Sequence, residues 1–144
     1  MPITWRDAMS VGDARVDDDH KHLIKLINAF EAIAEAGAEP AKVEAVFKGL
    51  KAYTEEHFSR EERLQLAARY PYYESHLKAH RGLIRQLEEL RSEWQALAAG
   101  PGRDQALKDL AAFLRDWLVA HILKEDLRLK PYLAKLPATE SAPS

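Results

Sequence analysis

The chain has 144 residues, 47% of them hydrophobic and 31% charged, enough for one compact domain of ordinary core size. A net charge of −2 gives no basic excess for nucleic acid and no cationic face for anionic lipid. With no cysteine there is no disulfide scaffold, thiolate zinc site, cysteine-ligated iron–sulfur cluster or thiol nucleophile, and six histidines remain as the conspicuous chemistry.

Residues 1–16 read as an ordered arm, because Trp5 should not stay fully exposed. Met1 to Asp7 lack the apolar core of a signal peptide, which leads to the expectation of a cytoplasmic protein. Four segments with helical periodicity follow, at about 18–36, 41–69, 72–99 and 103–130, rich in Ala, Leu, Glu, Lys and Arg. Asp17-Asp18-Asp19 suits the N-terminus of the first, by capping and by complementing the helix dipole. Pro40 fits the first position of the second, Gly37 and Gly100 fit positions just past helix ends, and Pro131 closes the last. Residues 137–144 are expected to form a disordered tail. Short links between long helices force antiparallel neighbours, so the expected fold is all-α: one domain over 1–136, an up-down-up-down four-helix bundle with an N-terminal arm. No apolar run reaches the length of a membrane span, so no membrane insertion is expected.

The apolar stripes carry polar residues where none should be cheap. The first helix presents His20, Leu23, Ile24, Ile27 and Phe30 at helical spacing; the second presents Val43, Val46, Phe47, Leu50, Tyr53, His57, Glu61 and Leu64. The third presents His76, His80, Leu83, Ile84, Leu87 and Leu90, and the fourth Leu107, Leu110, Leu114, Trp117, Leu118 and His121. One core histidine can be satisfied by a hydrogen bond. Five on four helices, with carboxylates beside them, would cost roughly several kcal/mol per group without strong partners. Antiparallel topology brings His20, His57, Glu61, His76, His80, His121 and Asp126 to one end of the bundle, which points to a metal site.

Seven ligands exceed one tetrahedral zinc, and five imidazoles suit neither Ca²⁺ nor Mg²⁺. Two iron ions joined by an oxo or hydroxo bridge accept such a mixed set and leave one of about twelve coordination positions open for a small ligand such as O₂. His22 lies about 200° round the helix from His20 and reads as a surface residue. Glu62 is off the stripe, solvated or behind a ligand. Asp126 lies five residues after His121, about 140° away on an ideal helix, where Glu125 competes; a π-bulge would turn Asp126 inward. Ile24, one turn after His20, and Leu118, one turn before His121, are the candidate lid of the O₂ pocket.

Trp5, Val16-Asp17-Asp18-Asp19-His20-Lys21, His57-Phe58-Ser59-Arg60-Glu61-Glu62, Tyr70-Pro71, His76 with His80, and Trp117-Leu118 leading to His121-Ile122 and Asp126 occur in an order that resembles the hemerythrin family, its bacterial single-domain members in particular. The resemblance implies that His76, His80 and His121 hold one iron, that His20 and His57 hold the other, and that Glu61 and Asp126 bridge them. It implies reversible O₂ binding at the iron of His20 and His57, for carriage, storage or delivery, with azide and nitric oxide as other small ligands. It favours Asp126 over Glu125. Gln65 stands where the family often has Met, and Leu83 where it often has Phe. The expectation is a binding protein and not an enzyme. The rivals are a di-iron enzyme acting on peroxide or nitric oxide, and an O₂ or iron sensor working with a separate partner; no protein partner can be read from the residues.

Overall fold

A computed structural model describes residues 2–37 and 39–136; at Ile122 and Leu123 only the backbone is described. The expected tail, 137–144, lies outside the described residues. Four long helices, α1 (Ala14–Ala36), α2 (Pro40–Ala67), α3 (Tyr73–Ala96) and α4 (Pro101–Ala120), follow a 3₁₀ turn at Asp7–Met9. Beyond α4 the coil continues as a π-helical segment (His121–Glu125), a 3₁₀ turn (Asp126–Leu129) and a short α5 (Lys130–Leu133). Helix α1 packs on α2 and α4, and α3 packs on the same two, which is the expected up-down-up-down bundle.

Several ends differ from the sequence expectation. Helix α1 begins at Ala14, not near 18, because Asp13 is the N-cap and accepts from the backbone N–H of Arg15 and Val16. The arm therefore ends at residue 13 and not 16. Asp17 does not cap; its carboxylate ties the arm down, accepting from Val11 N at 2.9 Å and Ser10 Oγ at 2.5 Å. Gly100 sits before α4 with φ 144°, while α3 ends earlier, at Ala96. Pro131 opens the last turn of helix instead of closing one. Gly37, left-handed at φ 69°, and Pro40 occupy the expected positions.

Trp5 is half-buried beneath the Lys21 ammonium, and Ile3 is fixed to the Asn28 side chain by two 2.8 Å hydrogen bonds, so the arm is ordered against α1. The main apolar cluster joins Leu23, Ile24, Ile27 and Phe30 to Phe47, Leu50, Leu87, Trp94, Leu110, Leu114 and Leu118. A second, smaller cluster of Val11, Val16, Tyr70, Leu129 and Leu133 closes the other side. Burying a Leu or Phe of this kind stabilises the fold by about 1.5–3 kcal/mol each. Val16 is one turn before His20 and Leu129 three residues after Asp126, so the polar residues of the stripes lie between two apolar layers.

Candidate metal centre

All seven expected site residues converge, and none is more than 4% exposed. They form two overlapping groups whose candidate ligand atoms lie within 4.8 Å of one another: His20, His57, Glu61, His121 and Asp126, and Glu61, His76, His80 and His121. Each carboxylate reaches both sides. Glu61 directs Oε1 to Nε2 of His80 (3.1 Å) and His76 (3.5 Å), and Oε2 to Nε2 of His57 (3.4 Å) and His121 (3.8 Å). Asp126 directs Oδ1 to His76 (3.3 Å) and Oδ2 to His121 (2.5 Å), His20 (2.6 Å) and His57 (3.8 Å).

The π-helical segment explains how Asp126 takes part. The wider turn between His121 and Glu125 moves Asp126 inward until it is fully buried, and Glu125 is left exposed. His22 is exposed, its ring 4.2 Å from that of Tyr53, outside the cluster. Ile24 and Leu118 are both buried in the main apolar cluster.

Hydrogen bonds within the protein do not satisfy this cluster. Among the described residues, both oxygens of Glu61, Nε2 of His76 and His80, and Oδ1 of Asp126 are buried without a hydrogen-bond partner. The Nε2 atoms of His57 and His121 face each other at 3.4 Å. Orphaned acceptors and imidazole nitrogens converging in a dry interior are what a cation would satisfy, and the mixed nitrogen and oxygen donors fit a transition metal. The chemistry of the cluster fits a metal site.

Electrostatics agree. Burial lowers the His57 pKa, but the charges of Glu61 and Asp126 outweigh that and raise it to about 9. For His121 the same contest, with Asp126 the stronger partner, ends at about 10. Burial and the mutual repulsion of Glu61 and Asp126 oppose ionisation of Glu61, yet His121 and His57 hold its carboxyl below the usual range. Asp126 is held well below it, against burial, by His121, His20 and His57. Without metal, protons held on His57 and His121 offset the charge of the two carboxylates.

Outside the seven, three residues meet the outward nitrogens of the imidazoles. Glu62, half-buried, lies 2.9 Å from Nδ1 of His80, so it stands behind a ligand position. Gln65 is fully buried with its amide against Nδ1 of His76. It is the amide nitrogen that faces Nδ1, and Oε1 is left without a partner among the described residues; exchanging the two amide positions would let the oxygen accept from a protonated Nδ1. Asp19, 5% exposed, approaches Nδ1 of His57 at 3.0 Å. Sequence reasoning missed Asp19 by assigning its run to a cap. The signal was present, because Asp19 shares a face with Val16 and Leu23 at i−3 and i+4. Phe58, also missed, stacks on His80 at 3.7 Å.

The bacteriohemerythrin of Pseudomonas paraeruginosa is 33% identical over 124 residues, 86% of this chain and 76% of that protein. The myohemerythrin of Sipunculus nudus is 29% identical over 129 residues, 90% of this chain and 92% of that protein. A solved hemerythrin carrying a leucine-to-alanine substitution superposes with a TM-score of 0.79 at 25% identity, covering 92% of this chain and 97% of that one. A family model described as the hemerythrin HHE cation binding domain matches residues 11–133, and the chain belongs to that family.

Proposed function

We propose that His20, His57, Glu61, His76, His80, His121 and Asp126 hold two iron ions and that this centre binds O₂ reversibly, for carriage, storage or delivery. The observation that carries the reading is the split of both carboxylates, one oxygen toward His76 and the other toward His57, because a pair of ions needs shared anionic ligands. Iron supplies reversible one-electron chemistry at each ion and an open coordination position when bound. In this reading His76, His80 and His121 serve one ion and His20 and His57 the other; His121 belongs to both groups of close ligand atoms, and its place with His76 and His80 rests on the family resemblance. Glu61 and Asp126 supply the anionic charge between them. Asp19 and Glu62 keep the outward protons of His57 and His80 engaged, so both rings present Nε2 inward, and the Gln65 amide packs behind His76. Ile24 and Leu118 exclude water from the side of His20 and His57.

The side chains favour binding over turnover. Tyr53 is the one phenol on the core stripes near His57, and its hydroxyl is committed to Asp19 at 2.8 Å, so it is not free to deliver a proton to a bound ligand. Azide and nitric oxide are the other small ligands of this reading. No helix among the described residues is long and apolar enough to cross a membrane, and we read the chain as acting in the cytoplasm. The test is anaerobic reduction of the iron-loaded protein followed by cycling between O₂ and argon under a visible spectrum. A charge-transfer band that appears and disappears over several cycles supports the reading. Sustained turnover of peroxide or nitric oxide, or no spectral response to O₂, overturns it.

A further inference from the structure

Asp19 is a buried carboxylate that the seven-residue cluster does not include, and its surroundings are unusually complete. Tyr53 Oη donates to Oδ1 at 2.8 Å, and the Arg60 guanidinium grips both oxygens, Nε to Oδ2 at 2.9 Å and NH2 to Oδ1 at 2.7 Å. The remaining direction of Oδ2 points to Nδ1 of His57 at 3.0 Å. Three donors fixed from outside leave this carboxylate one orientation, with one lone pair facing the imidazole. Arg60 also lies over the Tyr53 ring at 5.8 Å, so the two latch residues restrain each other.

The other imidazoles are served differently. His80 has a carboxylate behind it, but Glu62 is partly exposed and has no arginine fork holding it. His76 has a neutral amide, and Nδ1 of His20 has no hydrogen-bond partner among the described residues. His57 alone of these four has a buried anion held rigid by other side chains. Such a partner fixes the tautomer, aims Nε2, and makes the ring a stronger donor to a cation.

We infer that Asp19, latched by Arg60 and Tyr53, is the positioning residue for His57, and that it sets how strongly the His57 side of the centre holds its metal. The inference rests on the metal-binding reading above. The latch works by geometry: Asp19 takes the Nδ1 proton as a hydrogen bond without removing it, so Nε2 keeps its lone pair for the ion.

The test uses the full chain loaded with Co²⁺, whose paramagnetism moves the N–H resonances of ligating imidazoles clear of the rest of the proton spectrum. Asp19→Ala is expected to lower Co²⁺ affinity by about 10- to 100-fold. It should also abolish one shifted, solvent-exchangeable N–H resonance by fast exchange, while those of His76 and His80 persist. Asp19→Asn, whose amide oxygen can still accept from Nδ1, should restore that resonance and most of the affinity. Tyr53→Phe, which removes one of the latch donors, should leave the resonance visible and speed its exchange. The two milder variants keep the test decisive should the alanine protein fail to fold. If Asp19→Ala binds Co²⁺ as tightly as the parent with every N–H resonance in place, if Asp19→Asn loses the resonance and the affinity as alanine does, or if Tyr53→Phe leaves exchange unchanged, Asp19 has no such role. Failure of the parent chain to take up Co²⁺ would instead overturn the metal reading itself.

Discussion

Glu61 and Asp126 lie on different helical segments yet span the same gap: one oxygen of each is within 3.5 Å of Nε2 of His76, and the other oxygen of each is within 3.8 Å of Nε2 of His57. One carboxylate could serve a single ion. Two, each divided between the same pair of rings, are what a pair of ions would share under the proposed reading.

Metal analysis of the purified, iron-loaded chain should therefore give two ions per chain. Removing them should lower the melting temperature, because metal binds only the folded cluster. One ion per chain, or zinc that iron cannot replace, contradicts the assignment.

The two carboxylates should not be replaceable. Glu61→Ala and Asp126→Ala are expected to lose the paired centre, and each leaves buried imidazoles without their anion, a loss of about 3–5 kcal/mol by analogy with broken buried ion pairs. Glu125→Ala, at an exposed position, should keep two ions. Glu62→Ala should keep the pair with weaker affinity, since Glu62 stands behind His80. Equal loss of paired iron across the four variants, measured by metal content and visible spectrum, would refute the inward assignment.

Acidity gives an independent check. In the folded, metal-free chain His57 and His121 keep protons to about 9 and 10, against a reference value of 6.5. A raised pKa stabilises fully below the reference value, and that contribution is lost as pH rises through 9 and 10. Glu61 and Asp126 are lowered, so their contribution is present above their reference values of 4.5 and 3.8 and is lost on acidification. Metal-free protein should thus be most stable between about pH 5 and 6.5, with a melting temperature that declines toward pH 10. Metal must displace the two imidazole protons, so binding at pH 7 should release about two protons per chain. Calorimetry in two buffers of different ionisation enthalpy reads that number, and zero release would show that the cluster was not protonated.

Leu118→Ala is expected to leave iron content unchanged while speeding autoxidation and the entry of azide. Leu118 is fully buried one turn before His121, and its loss opens space beside the centre at a stability cost of about 2–5 kcal/mol. Stopped-flow azide binding and the decay of the O₂-bound spectrum measure both effects. Parent-like rates would move the barrier elsewhere, to the arm with Trp5.

Much of this was legible before any coordinates, because periodicity reports which face is buried and histidines on that face are conspicuous. The bundle, the convergence of five histidines with Glu61 and the exclusion of His22 follow from spacing, whereas spacing leaves Glu125 in competition with Asp126; the family resemblance favours Asp126, and the wide turn after His121 gives the physical reason. Less legible were the partners behind the ligands. Asp19 was hidden in an acidic run whose neighbour Asp17 binds the arm, and capping had already moved upstream to Asp13. Stripes also misjudged degree of burial. Tyr53, Val46 and Leu64 are only half-buried, while Thr54, Phe58 and Gln65 are buried, because the core face of α2 is wider than one row of residues.

The π-helical segment also sets what length changes the chain can bear. His57 and Glu61 are four residues apart on an ordinary helix, whereas His121 and Asp126 are five apart across the wide turn. Deleting the exposed Lys124 would let that turn relax to regular pitch and still deliver an aspartate at the four-residue spacing used by His57 and Glu61. Inserting one residue would swing the same carboxylate about 240° from His121, out of the interior. This stretch should accept shortening by one residue and reject lengthening by one, an asymmetry opposite to that of a surface loop.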